Sequence, residues 1–77
     1  MSDYVPLTRQ DLRGFDREPR DLLLDAQARG ARLRVTANGH CFVYGPNGGS
    51  TTVPPNFKTG NRSAQNSRAG IARLFRS

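Results

Sequence analysis

Acidic residues are missing from the last two thirds of this chain. All six Asp and Glu lie within the first 25 residues, where four arginines leave a net charge of −2, whereas residues 26–77 hold seven arginines, one lysine and no acid, a net charge of +8. A protein surface that is charged only for solubility normally carries residues of both signs. Because the guanidinium fork matches phosphate oxygens and stacks on bases, this excess of Arg favours nucleic acid as the partner.

Cysteine and long apolar runs are also scarce. The one cysteine, Cys41, has no partner for a disulfide and no neighbouring ligands for a metal, so we expect a small core residue, no metal and no cofactor. The chain has no run of about 18 apolar residues to cross a membrane, and its N-terminus lacks a signal-peptide pattern. We therefore expect a cytoplasmic protein. A 77-residue chain has a thin core, which is compatible with a monomer or a weak dimer.

Helical signals stand on both sides of a central β-rich region. Residues 1–17 have too little apolar content for more than a short turn around Thr8 to Leu12 and are treated as an arm, whereas residues 18–77 form the domain. The first helix is predicted from Pro19 to Arg29, because Pro suits the first helical position and Gly30 supplies a left-handed stop. Its apolar face would use Leu22, Leu23, Leu24 and Ala26. The last helix would place Ala64, Ser67, Ile71, Leu74 and Phe75 on one face and Arg62, Asn66, Arg73 and Arg76 largely on the other.

Three short strands are predicted between the helices. ARLRVTA alternates apolar and polar residues, HCFVY is β-branched and aromatic, and STTV ends at Pro54-Pro55; Asn38-Gly39 and GPNGG supply the turns. The expected fold is α+β, in the order α-β-β-β-α, with a three-stranded antiparallel sheet and both helices on one of its faces.

The register of the first hairpin decides where the only histidine lies. A two-residue loop at Asn38-Gly39 pairs Ala37 with His40, which places His40 on the helix-covered face. A three-residue loop with Gly39 left-handed pairs Thr36 with His40 instead. The second register is favoured, since it gathers the arginines beside the histidine; the first keeps the aromatic side chains inside. In the favoured register the core face is Leu33, Val35, Cys41 and Val43, and the open face is Arg32, Arg34, Thr36, His40, Phe42 and Tyr44.

The order and spacing of these segments resemble the HicA family of small toxins. The matching segments are LLLDAQARG, ARLRVTA, NGH, CFVYG, PNGG, STTVP and RSAQNSRAGIARLF, over roughly residues 19–75. Asn38-Gly39 stands where the family has Gly-Ser, and Pro55-Asn56 stands where a His or an acid often follows the strand. The resemblance implies a double-stranded-RNA-binding-domain-like (dsRBD-like) fold, an endoribonuclease (mRNA interferase) with His40 as catalytic residue, and a cognate HicB-like antitoxin. The resemblance extends to small phage-encoded members of the HicA family.

The chemistry leaves two hypotheses of different classes. A HicA-like toxin would use His40 for metal-independent acid–base cleavage of RNA, although no residue clearly supplies a second proton transfer and Tyr44 is poorly suited to it. Alternatively, a non-catalytic nucleic-acid-binding or host-interaction protein would use His40 as one more contact. The candidate nucleic-acid contacts are Arg32, Arg34, Phe42, Tyr44, Lys58, Arg62 and Arg73. The PNGG turn with Ser50 and Thr51 fits either a phosphate cradle or a plain hairpin turn.

Overall fold

The chain folds as two helices and one sheet in the predicted order. A computed structural model describes residues 5–57 and 61–76. The elements are α1 (Arg17–Ala28), β1 (Arg32–Val35), β2 (Cys41–Tyr44), β3 (Ser50–Val53) and α2 (Asn61–Leu74). The strands form an antiparallel sheet in the order β1-β2-β3. The α+β fold with a dsRBD-like layout is thereby confirmed.

Helix α1 ends where its glycine predicts. Gly30 adopts a φ of 112°, its N–H donates to Gln27 O at 3.0 Å, and the Ala31 N–H donates to Ala26 O at 3.0 Å. These two bonds form a Schellman motif, which satisfies carbonyls that the last turn leaves open. The helix begins at Arg17, two residues before the predicted start, so Pro19 lies inside the first turn, where its missing N–H costs no intrahelical bond.

Both hairpins turn through three residues and end in a left-handed glycine. In the first, the Thr36 N–H donates to His40 O at 2.8 Å, and Gly39 has a φ of 84°. In the second, the Gly45 N–H donates to Gly49 O at 2.8 Å, and Gly48 has a φ of 92°. This is a tight turn followed by a bulge, for which an Asn-Gly pair is well suited. The favoured register is therefore the observed one.

The core lies between the two helices and one face of the sheet. Leu33, Cys41, Val43 and Val53 supply the sheet side, and each is at most 4% exposed. The helices supply Leu23, Ala26, Ala64, Ile71 and Leu74, all buried. Phe75 packs against this cluster and Ser67 is buried, so the predicted faces of α2 are confirmed.

Two core residues come from the segment treated as an arm. Leu12 is fully buried and Phe15 is 6% exposed, so residues 8–15 cover part of the core. The segment is attached to α1 by the Gln27 side chain, whose Oε1 accepts from the Leu7 N–H at 2.9 Å and whose Nε2 donates to Leu7 O at 2.7 Å. These paired bonds satisfy an irregular stretch of backbone in the way a neighbouring strand would.

Val35 departs from its predicted burial. The register places it opposite Cys41, on the core side of the sheet, yet it is 41% exposed. Val35 is the last residue of β1, an edge strand, so it has a β-neighbour on one side only. Side-chain alternation predicted the correct face but not how far the core extends along it.

Candidate nucleic-acid interface

The second face of the sheet carries polar and aromatic side chains and faces away from the core. Arg34 pairs with Phe42 and Arg32 pairs with Tyr44, so all four side chains lie on this face. Their partners along β3 are Thr52 for Phe42 and Ser50 for Tyr44. The open face therefore comprises the residues predicted for it together with two residues of β3: Arg32, Arg34, Thr36, His40, Phe42, Tyr44, Ser50 and Thr52.

Two aromatic rings form the apolar part of the open face. Phe42 and Tyr44 are two residues apart on β2, with ring centroids 6.1 Å apart and planes inclined at 42°. Phe42 is half-buried, whereas Tyr44 remains 39% exposed. Exposed rings on a sheet are suitable platforms for unpaired bases, because every base has a π-face that stacks without regard to sequence.

His40 stands at one end of the open face, directly after the first turn. Its side chain is exposed and lines a concavity of about 530 Å³ together with Phe42, Thr52 and the turn residues Thr36 and Asn38. The Thr36 hydroxyl donates to the backbone carbonyl oxygen of His40 at 3.3 Å and so helps to fix the backbone of that residue. The structure thus brings His40, Phe42 and Arg34 to the same side of the sheet, as the favoured register predicts.

A second concavity of about 670 Å³ borders the opposite end of the open face. It is lined by Arg32 and Tyr44 together with Pro46 and the glycines of the second turn and of the end of α1. The open face therefore has a recess at each end, one beside His40 and one beside Tyr44. An extended strand of nucleic acid lying along β2 would reach both.

Charge separates the two sides of the molecule. The acidic side chains that pair with arginine, Glu18, Asp21 and Asp25, all lie on α1. The pairs involve Arg17, Arg20, Arg29 and Arg68, with N···O distances from 3.4 to 3.9 Å. Arg34 has no ion pair within residues 5–57 and 61–76. The positive charge of Arg34 on the open face is consequently available to an anionic ligand.

Cys41 is a core residue, as expected. Its side chain is fully buried on the helix side of β2, and its thiol donates to Phe42 O at 3.5 Å. Burial raises the pKa of the thiol to about 11. A neutral, buried thiol is neither a nucleophile nor a metal ligand. No group of three His, Cys, Asp or Glu side chains that could hold a metal ion occurs in the described ranges.

Two of the remaining predicted contacts, Arg62 and Arg73, do not lie on the open face. Arg62 and Arg73 are exposed on α2, which packs on the core side of the sheet. Arg73 reaches the edge of the sheet, where it lines a cleft with Ser50 of β3. Lys58 falls outside the described residues.

The structure adds Thr52 to the candidate residues, and it brings together Asn47 of the PNGG turn and Arg76 of the last helix, which are predicted as parts of two separate elements. Thr52 lines the concavity beside His40, and Asn47 and Arg76 line the cleft beside Arg73. The turn chemistry of GPNGG predicts a second three-residue loop, and applying that register would have placed Thr52 opposite Phe42. No local signal places Asn47 near Arg76, because they are 29 residues apart and meet only through tertiary packing.

Comparison of the chain with protein-family models, curated proteins and solved structures finds no match. The resemblance to HicA toxins therefore stays a prediction based on the order and spacing of segments. No helix within the described residues is long and apolar enough to cross a membrane.

Proposed function

We propose that this chain binds single-stranded RNA on its open face and cleaves it with His40, as a toxin of the HicA kind. The observation that carries the proposal is that the only histidine shares the open face of the sheet with two aromatic rings and two exposed arginines. Aromatic rings stack unpaired bases and guanidinium groups bind the phosphates between them. A strand held this way passes His40 with its ribose hydroxyls accessible.

Cleavage without a metal needs two proton transfers and stabilisation of the charged phosphorane. His40 supplies one transfer, removing the 2′-hydroxyl proton, which is worth about 10²–10⁴-fold. Arg34, on the same face, stabilises the charge that develops on the non-bridging oxygens. Because every acid of the chain precedes residue 26, no carboxylate of the sheet protonates the leaving 5′-oxygen. Water takes that role, and we expect slow turnover.

Binding without cleavage is the second candidate, and a specific observation favours it. Within the described residues the His40 ring has no hydrogen-bond partner, so no neighbour selects its tautomer or holds its orientation. Catalytic imidazoles are commonly oriented by such a partner. In this case His40 would contact RNA and leave it intact.

A HicB-like antitoxin is the proposed neutralising partner. An antitoxin that covers the open face would exclude RNA from the aromatic rings and from His40 at the same time. Since the chain has a net charge of +6 and no acid after residue 25, the contact surface of the antitoxin is expected to be acidic. Such a toxin acts in the cytoplasm, that of the bacterial host if the chain is phage-encoded.

RNA binding is tested with a 2′-O-methyl oligouridylate, which lacks the attacking hydroxyl and stays intact. Phe42→Ala should weaken binding by about 1–3 kcal/mol with an unchanged salt dependence. Arg34→Gln should lower the slope of log K against log salt by about 0.7. Arg13→Gln is the matched control, because Arg13 is exposed in the N-terminal segment and carries the same charge. Equal losses for Arg34→Gln and Arg13→Gln would show diffuse attraction and contradict a site on the open face.

Cleavage is tested with the unmodified oligouridylate. Wild type should yield 2′,3′-cyclic phosphate ends, because the 2′-oxygen attacks the adjacent phosphorus and displaces the 5′-oxygen. His40→Gln should bind with similar affinity and cleave at least about 100-fold more slowly. If wild type binds the RNA tightly and yields no 2′,3′-cyclic phosphate ends, the chain binds RNA without cleaving it.

A further inference from the structure

A cleft between the second hairpin turn and the end of α2 is not used by the open face. It has a volume of about 410 Å³, and besides Leu74 and Gly70 it is lined by Asn47, Gly49, Ser50, Thr51, Arg73 and Arg76. Apart from its glycine, each of these six residues contributes a hydroxyl, an amide or a guanidinium group. The chemistry of the walls is that of a site for an oxyanion.

Close packing holds the two walls of the cleft together. A Cβ atom on Gly45 would lie 2.7 Å from Leu74 Cβ, and one on Gly70 would lie 2.6 Å from Thr51 Oγ1, so glycine is needed on both sides. Asn47 Nδ2 donates to Arg76 O at 3.0 Å, which joins the tip of the turn to the chain just beyond the helix. The cleft is therefore a consequence of how the turn docks on α2, rather than a gap between independent segments.

Charge in the cleft is positive and uncompensated. Arg73 and Arg76 are exposed, lie three residues apart, and make no ion pair within the described part of the chain. An arginine in the last helical turn also complements the helix dipole, and Arg73 fits that role alone. The same explanation does not account for Arg76, which follows the helix. Two carbonyls of the last helical turn are engaged, since Ala72 O accepts from the Phe75 N–H and Arg73 O accepts from the Arg76 N–H, each at 3.2 Å.

The cleft is continuous with the open face through one residue. Ser50 lines the cleft and also pairs with Tyr44 across the sheet, so it belongs to both surfaces. A strand whose bases stack on Phe42 and Tyr44 would leave the open face over Ser50 and arrive between Arg73 and Arg76.

We propose that this cleft is a phosphate subsite, which binds the sugar–phosphate backbone of an RNA strand beyond the bases held on the open face. The inference rests on the proposed function, which it deepens by giving the ligand a direction and a minimum length. RNA that spans only the aromatic rings leaves the cleft empty, whereas longer RNA places one phosphodiester against each of the two guanidinium groups.

Comparing oligonucleotides of two lengths distinguishes binding at the subsite from nonspecific electrostatic attraction to the arginines. We compare 2′-O-methyl oligouridylates of about 3 nucleotides, enough for the two rings, and of about 10 nucleotides. The double variant Arg73→Gln/Arg76→Gln should leave binding of the short strand within twofold of wild type. For the long strand it should lower the salt slope by about 1.4, since each lost phosphate contact removes about 0.7.

The matched control is Arg9→Gln/Arg13→Gln, which removes the same charge from the exposed N-terminal segment. It should change the salt slope for neither strand. If the two double variants weaken the long strand equally, or if the cleft variant weakens short and long strands alike, the subsite is refuted. Circular dichroism confirms that both variants remain folded.

A second measurement keeps the subsite testable even if the chain binds no RNA. Inorganic pyrophosphate is titrated into the wild-type chain, and amide signals are followed by NMR. The subsite predicts shifts at Gly49, at Ser50 and at the Asn47 side-chain amide, all absent from Arg73→Gln/Arg76→Gln. Such shifts without RNA binding would refute the proposed function and leave an anion site. Shifts spread evenly over the arginine surface, or none, would refute the subsite itself.

Discussion

The contact between Gly70 and Thr51 determines how closely α2 approaches the sheet, and replacing Gly70 with alanine tests it. In an exposed helix this change would stabilise the chain by about 1 kcal/mol through helix propensity. Here the new Cβ would stand 2.6 Å from Thr51 Oγ1 and 3.3 Å from Thr51 Cβ. Because Thr is β-branched and stiff at χ1, relief requires α2 to move, and overpacking of this kind costs about 1–3 kcal/mol. We expect a net loss of about 1 kcal/mol, or about 4–8 °C in melting temperature.

A double-mutant cycle isolates that contact. Thr51→Ala removes Oγ1, which the new methyl group would meet at 2.6 Å, and Cγ2 at 3.6 Å, and it leaves only the Thr51 Cβ at 3.3 Å. Gly70→Ala should therefore cost less in the Thr51→Ala background than in wild type, with a coupling energy of at least about 1 kcal/mol. Urea unfolding of the four proteins measures it. Gly14→Ala is the control, because a Cβ there meets nothing within 4 Å and its φ is not left-handed, so it should be neutral or slightly stabilising. A stabilising Gly70→Ala in the wild-type background would refute the reasoning.

Three further changes probe the turn, the N-terminal segment and the core. Gly39→Ala should cost about 1–2 kcal/mol in urea unfolding, because a φ of 84° strains any residue with a Cβ; a loss no larger than that of Gly14→Ala would contradict the turn. Gln27→Ala should cost about 1–2 kcal/mol and speed hydrogen exchange at the Leu7 amide, since both bonds to Leu7 are lost; unchanged exchange would contradict the attachment. Burial raises the pKa of the Cys41 thiol from 9.0 to about 11, so only the unfolded thiol ionises between these values and stability falls as the pH rises through them. Cys41→Ala should remove this part of the slope, and an identical slope in both proteins would contradict a buried neutral thiol.

Local chemistry accounts for what could be predicted from the sequence. Asn38-Gly39 predicts a tight turn with a left-handed glycine, and this fits both a two-residue and a three-residue loop. The three-residue register is favoured because it gathers the arginines beside His40, and the structure has this register. The register then divides the β2 side chains between core and open face, which is how the position of His40 could be inferred. The end of α1 could be predicted in the same way, because a glycine that adopts a left-handed conformation, here Gly30, commonly terminates a helix.

Long-range packing accounts for what could not be predicted. Leu12 and Phe15 lie in a polar segment without helical or strand periodicity, and their burial depends on the Gln27 bonds and on how residues 8–15 turn. Gly70 is a weak helix former by propensity, whereas the structure shows that its missing side chain allows α2 to contact β3. The cleft at Arg76 likewise depends on a contact 29 residues away in sequence.

The most direct test of the proposed function is growth and messenger-RNA integrity in a bacterial host after induction of the chain, with wild type and His40→Gln compared at equal expression. His40 is exposed, so the substitution should leave the fold intact. The proposal predicts that wild type arrests growth and fragments messenger RNA, whereas His40→Gln does neither. Fragmentation that persists in His40→Gln, or its absence in wild type, would contradict a ribonuclease that acts through His40.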